Sequence, residues 1–338
     1  MGDVGLSARY LDLELKNPVV LAPGQLSFNI PQIERACKAG YGAVVLKSVV
    51  GEDAKGNASM KKLRRTSLGK WVFDEEGDPV FHWKGGLDTR NFTEYLEFAK
   101  KAYETGKNHD VPIIASFLCH LPSGVEEEWN VEEWSYTARK LYEAGYIHME
   151  IDFCPFLKEE ETAKKKESVL RWYREAPKLV KEASPEIRVI SKILNLDLGK
   201  SREAKMKFQE EMVRAAVDGE ADAVTIANRF FIKGYVNRET GEVYDTTHGG
   251  KRLREMNQEL IRRVRASGVK KPISATGGTY TGQHVFEYLS LGAQNVQVFT
   301  YVFYNGLEKA IKNLLWNPQK GLAAILRSKG IYSLKNLE

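Results

Sequence analysis

Eight short apolar runs separated by helical stretches predict a (β/α)8 barrel, and three observations carry that reading. The runs recur along the whole 338-residue chain. The segments between them space their apolar residues three and four apart, and polar residues gather just past the runs, where a barrel collects its functional groups. The bare fold needs about 250 residues, so one domain over residues 1–338 leaves length for insertions.

The first run, Pro18 to Leu21, ends in Ala22-Pro23-Gly24, and the second, Ala43 to Lys47, ends in Lys47-Ser48. The third is Val111 to Phe117, followed by Cys119 and His120. The fourth, His148 to Asp152, runs into Phe153-Cys154-Pro155. Arg188 to Ile193 carries Lys192, and Ala223 to Ile226 leads to Asn228. Pro272 to Ala275 runs into Thr276-Gly277-Gly278 and then a helix, and Asn295 to Val298 is the eighth. Between them NFTEYLEFAKKAYE, EEWSYTARKLYEAG and FQEEMVRAAVDG read as amphipathic helices, the last two closing on a glycine. The surplus length falls at 51–90 and 156–168, which are expected as long loops over the catalytic face. A strand pair, Leu11 to Leu15 with the strand after it, is expected to cover the barrel bottom.

A composition of 43% hydrophobic and 28% charged residues argues for a folded core. The +5 charge comes from 50 basic and 45 acidic side chains mixed along the chain, too dilute for a nucleic-acid footprint. No apolar run approaches the ~20 residues of a membrane span, and the N-terminus lacks a signal-peptide pattern, so a cytoplasmic protein is expected. Cys37, Cys119 and Cys154 show no C-x-x-C spacing, which disfavours both a disulfide framework and a cysteine-ligated cluster.

Lys47 and Lys192 close apolar runs and would point into the barrel mouth. A buried unpaired ammonium costs several kcal/mol, so both require an anionic partner, and a phosphorylated, electron-rich cofactor would supply it. The Gly277-Gly278 pair before a helix suits an anion held by backbone N–H groups and the helix's positive end. Cys119 and His120 are neighbours on an extended segment and should point apart, so they read as filler. Trp129, Trp134 and Trp172 read as helix packing, and Cys37 as core.

In their order and spacing these motifs resemble the FMN-dependent dihydroorotate dehydrogenases and the related dihydropyrimidine dehydrogenase domains. The resemblance rests on L-x-L-K-N-P-V-V-L-A-P-G, on K-S with Gly56-Asn57 a few residues later, and on M-E-I-D-F-C-P where the family has E-x-N-x-S-C-P. It continues through V-T-I-A-N, Gly249-Gly250, A-T-G-G-T-Y-T-G, G-A-Q-N-V-Q-V-F-T and the closing L-R-S-K-G-I-Y-S-L-K-N-L. The resemblance implies one FMN, with Lys47 beside the edge of the ring where negative charge develops and Lys192 making a second contact. Ala22, Pro23, Gly24, Ser48 and Asn228 would line the cofactor, and Gly249, Gly250, Gly277, Gly278 and Thr300 would hold its phosphate. It makes Cys154 the base that takes a substrate proton. It further implies a homodimer, a small cyclic carbonyl substrate and, if electrons leave through an iron-sulfur centre, a separate electron-transfer subunit. A quinone-linked form is disfavoured because no amphipathic extension precedes the first strand.

The chain departs from the family in the substrate half of the site. Asn228 stands where an asparagine is expected, but Asp152, Phe156 and Trp83 replace three others, and Arg229 replaces a small hydroxyl residue. A carboxylate and two aromatics in place of amides favour a less polar ligand or one that donates to Asp152. Two other readings stay open: a flavin-free phosphate-binding aldolase or isomerase using Lys192 as a Schiff-base lysine, and a non-catalytic flavin subunit of a larger complex.

Overall fold

The computed structural model describes residues 4–64, 70–73, 79–83, 86–153, 166–195, 201–236 and 240–337. Eight parallel strands close into a barrel: β3 (Val19–Leu21), β4 (Ala43–Val45), β8 (Ile113–Leu118), β9 (His148–Asp152), β10 (Arg188–Lys192), β11 (Ala223–Ile226), β14 (Ile273–Thr276) and β15 (Asn295–Val298). They neighbour one another in chain order, β15 pairs with β3, and β4 pairs with β8 to complete the ring.

The two-residue period of a strand sorts each run into an outer and an inner face. Outward residues such as Val19, Leu21 and Val44 join the main core beneath the helices. Inward residues Val20, Ala43, Val45, Ile114, Ile190 and Ala223 form an apolar floor closed from below by Tyr10 and Leu15. Above that floor the inner face turns polar: Ser116, Glu150, Lys192, Thr225 and Gln297 are all buried. This change along the barrel axis positions the site.

The structure corrects three expectations. The strand pair at the barrel bottom forms between β1 (Ala8–Tyr10) and β2 (Leu13–Leu15), so Leu13–Leu15 pairs with the segment before it. The following run, β3, is buried on both faces and has its partners inside the barrel. The second run ends at Val45, and Lys47-Ser48 lies in a break before β5 (Val49–Val50), which pairs with β8.

The third correction concerns residues 51–90. They contain β6 (Lys70–Phe73) and β7 (Pro79–Trp83), which join β12 (Phe230–Val236) and β13 (Val243–His248) in a four-stranded antiparallel sheet. The β12–β13 hairpin lies between the sixth barrel strand and the helix Lys251–Ala266. Of the expected 156–168 loop, residues 166–168 open the helix Lys166–Lys181 and the rest lie outside the described residues. Among the described residues no helix is long and apolar enough to cross a membrane.

Candidate active site

A cleft opens to solvent at the C-terminal ends of the barrel strands. Ala22, Pro23 and Gly24 enter it after β3, Lys47 and Ser48 from the break after β4, Asp152 and Lys192 from the ends of β9 and β10, and Asn228 after β11. Gly249 and Gly250 follow β13, Gly277 and Gly278 follow β14, and Thr300 follows β15; all line the same cleft. Cys154 and Phe156 lie outside the described residues, and so does the side chain of Trp83, whose backbone pairs with Thr247.

One wall is built from backbone. Gly250, Gly277 and Gly278 have φ of 109°, 98° and 62°, a region glycine enters without a steric penalty. A Cβ on Gly277 would lie 2.6 Å from the Cβ of Leu253, and one on Gly24 would lie 2.2 Å from the Phe299 ring. Gly250 also caps the helix Lys251–Ala266, which presents its first N–H groups there. From behind, Asn257 Nδ2 donates to the Thr276 carbonyl at 2.6 Å and the Tyr288 hydroxyl to the Gly277 carbonyl at 2.8 Å. Arg254 donates to the Gly278 carbonyl at 3.3 Å and contacts the ring of His284. Burial and then the neighbouring Arg254 charge push the His284 imidazole down to about 4.

The floor of the cleft carries a buried ion pair. Lys192 Nζ lies 3.0 Å from Glu150 Oε1. Glu150 Oε2 accepts from Thr225 Oγ1 at 2.8 Å and from Gln297 Nε2 at 2.9 Å. The expectation that Lys192 needs a cofactor anion is therefore corrected: its counter-ion is part of the chain. Burial and the Glu150 charge raise the Tyr10 phenol below this pair. Lys47 is also buried; its N–H donates to the Ser27 carbonyl at 3.2 Å and its carbonyl accepts from the Tyr95 hydroxyl at 3.2 Å.

Asp152 is braced from two sides. Ser48 Oγ donates to Oδ2 at 2.8 Å and Asn228 Nδ2 donates to Oδ1 at 2.8 Å. Ser48 spends its proton on Asp152, so Ser116, 2.9 Å away, is the donor in the serine pair. The Asn228 oxygen accepts from the backbone N–H of Arg229 at 2.9 Å, so both ends of that amide are engaged within the chain.

Sequence reasoning missed Glu150, Thr225, Gln297, Gln25 and Thr279. Strand periodicity could have found the first three, since Glu150 lies two residues before Asp152 and Gln297 two after Asn295 on their strands. Cys119 and His120 stay apart in their contacts. The Cys119 thiol donates to the Glu133 carbonyl at 3.3 Å and is pushed up by burial, while the His120 ring meets Asn130 N–H at 3.1 Å and Glu127 at 3.1 Å. Trp134 and Trp172 are buried, their indole N–H groups donating to the carbonyls of His120 and Pro122.

A family model described as dihydroorotate dehydrogenase matches residues 5–315. The chain is similar to the protein named dihydroorotate dehydrogenase B (NAD(+)), catalytic subunit, of Pyrococcus abyssi, at 26% identity over 98% of this chain and 97% of that one. The protein of the same name from Methanocaldococcus jannaschii is 25% identical over 91% of this chain and 90% of its own length. The dihydroorotate dehydrogenase (quinone) of Photobacterium profundum is 24% identical over 91% and 85%. The parallel barrel, the cleft at its strand ends and a match over nearly the whole length agree: this chain belongs to the dihydroorotate dehydrogenase family of flavin-dependent oxidoreductases.

Proposed function

We propose that the chain binds FMN in this cleft and oxidises, or in reverse reduces, the C–C bond beside a carbonyl in a small cyclic compound, dihydroorotate or a dihydropyrimidine-like ring. The observation that carries the reading is the glycine wall. It has open backbone conformations, a helix start, and the buried Thr279 hydroxyl, which lines the cleft and has no hydrogen-bond partner among the described residues. Buried polar atoms are nearly always satisfied, so a ligand oxygen at Thr279 fits. Gln25 Oε1 and Gln297 Oε1 are likewise buried, without a partner among the described residues, on residues of the same lining, and suit ligand N–H or O–H donors.

Gly249, Gly250, Gly277, Gly278, Thr279 and Thr300 would hold the phosphate, and Ala22, Pro23, Gly24, Ser48, Lys47, Lys192 and Asn228 the rest. FMN, when bound, supplies a two-electron acceptor for hydride. Lys47, which lines the cleft, would supply a fixed cation to the cofactor, and a fixed cation favours a state that has gained negative charge over the starting one. Cys154 takes the proton from the substrate carbon. Ser48, Asn228 and Asp152 act as one hydrogen-bonded unit that orients the substrate, with Phe156 and Trp83 contributing apolar surface. The names of the archaeal relatives support a separate electron-transfer subunit as the chain's redox partner.

A Schiff-base mechanism is disfavoured, because a nucleophilic amine must be uncharged and Lys192 is engaged by a carboxylate at 3.0 Å. Purified protein should be yellow and release FMN on heating. Lys47→Ala should slow flavin reduction by substrate at least tenfold while changing FMN affinity less. A colourless protein that takes up no added FMN overturns the reading.

A further inference from the structure

We propose that Glu150 is a positioning residue that cancels the charge of Lys192 beneath the cofactor and so holds the two-electron potential of the bound flavin down. The inference rests on the FMN reading above. Glu150 has no exposed surface, and Lys192 is 6% exposed and lines the cleft. Strand register sets Glu150 level with Ile190, one inward step below Lys192, so the anion lies on the apolar-floor side and the cation faces the cleft. Three donors from three other strands hold the carboxylate: Lys192 on β10 at 3.0 Å, Thr225 on β11 at 2.8 Å and Gln297 on β15 at 2.9 Å. Turning away would take the carboxylate partner from Lys192 and Thr225 inside a buried site, a costly loss.

A reduced flavin carries more negative charge than an oxidised one, and a fixed charge acts strongly at short range in a buried site. Lys192 by itself would favour reduction. With Glu150 directly beneath, the pair is neutral and that bias is diminished. The lysine keeps its place as a hydrogen-bond donor while most of its field is cancelled.

The test measures midpoint potential and sulfite affinity of the FMN-loaded protein, since sulfite addition to flavin also rewards nearby positive charge. Glu150→Gln should shift the oxidised-to-reduced equilibrium tenfold or more toward reduction, about 30 mV for a two-electron couple, and tighten sulfite binding. Lys192→Met should shift both the other way. The double variant replaces a neutral pair by two neutral side chains and should return to within twofold of the native equilibrium. A purely structural role for Glu150 would lower thermal stability and leave the potential where it was. Glu150→Gln protein that keeps its flavin and shifts the equilibrium by less than twofold overturns the proposal. If Glu150→Gln loses flavin, the double variant decides, because it buries no unpaired charge. A native-like potential there supports cancellation, and a tenfold shift away from reduction overturns it. Native protein that takes up no FMN would reject the cofactor reading itself, a separate outcome seen before any variant is made.

Discussion

The side-chain amide of Asn228 donates to Oδ1 of Asp152 at 2.8 Å, joining the ends of two barrel strands that have β10 between them. The amide best suited to reading a planar substrate ring is thus committed to a carboxylate, and the carboxylate itself lines the cleft. Orotate carries its own carboxylate. Like charges at close range repel by a few kcal/mol at an effective dielectric of ~20. Orotate is expected to bind weakly, and Asp152→Asn to tighten it measurably, in titrations of the flavin spectrum. Micromolar orotate binding that is the same in both proteins would show that this carboxylate does not shape specificity.

Cys154→Ser is expected to fold and keep flavin yet slow reduction by substrate by ~10²-fold or more, the scale for losing a positioned base. A thiol is active as its thiolate and has a reference pKa of ~8.5, so the native rate should rise from neutral toward alkaline pH. Stopped-flow reduction across pH checks both points. An unchanged rate in Cys154→Ala would move the role to Asp152.

Gly277→Ala tests the backbone wall. An alanine at φ 98° costs roughly 1–3 kcal/mol, and its Cβ would meet Leu253 at 2.6 Å. The expected result is a lower Tm together with at least tenfold weaker FMN binding. Gly268→Ala is the control: its φ is 85° but a Cβ there meets no atom of the described residues within 4 Å, so it should lose stability alone. Equal FMN affinity in the two variants would count against a phosphate at Gly277.

Acid should loosen the same wall through His284. Its folded pKa of about 4 lies below the ordinary 6.5, so between those values the unfolded chain binds the extra proton. The His284 contribution to stability therefore falls as pH drops from 6.5 toward 4 and levels off below, when the folded form protonates too. Protonation would set a second cation against Arg254, which holds the Gly278 carbonyl. FMN release should rise over that window, and His284→Gln should flatten both the stability and the release profiles.

The barrel is legible in the order of the amino acids because its evidence is local. A buried parallel strand must be short and apolar, and a covering helix must repeat its apolar residues at three and four. Three of the eight runs, at β9, β11 and β15, keep the boundaries read from sequence. The strand-end residues were legible for the same reason, since a barrel brings every such position to one face. Which of those side chains touch depends on the closed fold. Glu150 and Gln297 are 147 residues apart and meet across the barrel interior, Ser48 reaches Asp152 over 104, and the Asn228 amide is spent on Asp152 rather than left for a ligand. The β7–β13 pairing is of the same kind, a choice of partner between segments far apart in the chain. Strand periodicity states which face a residue occupies, whereas the charge partner of Lys192 depends on the curvature that closes eight strands into a ring.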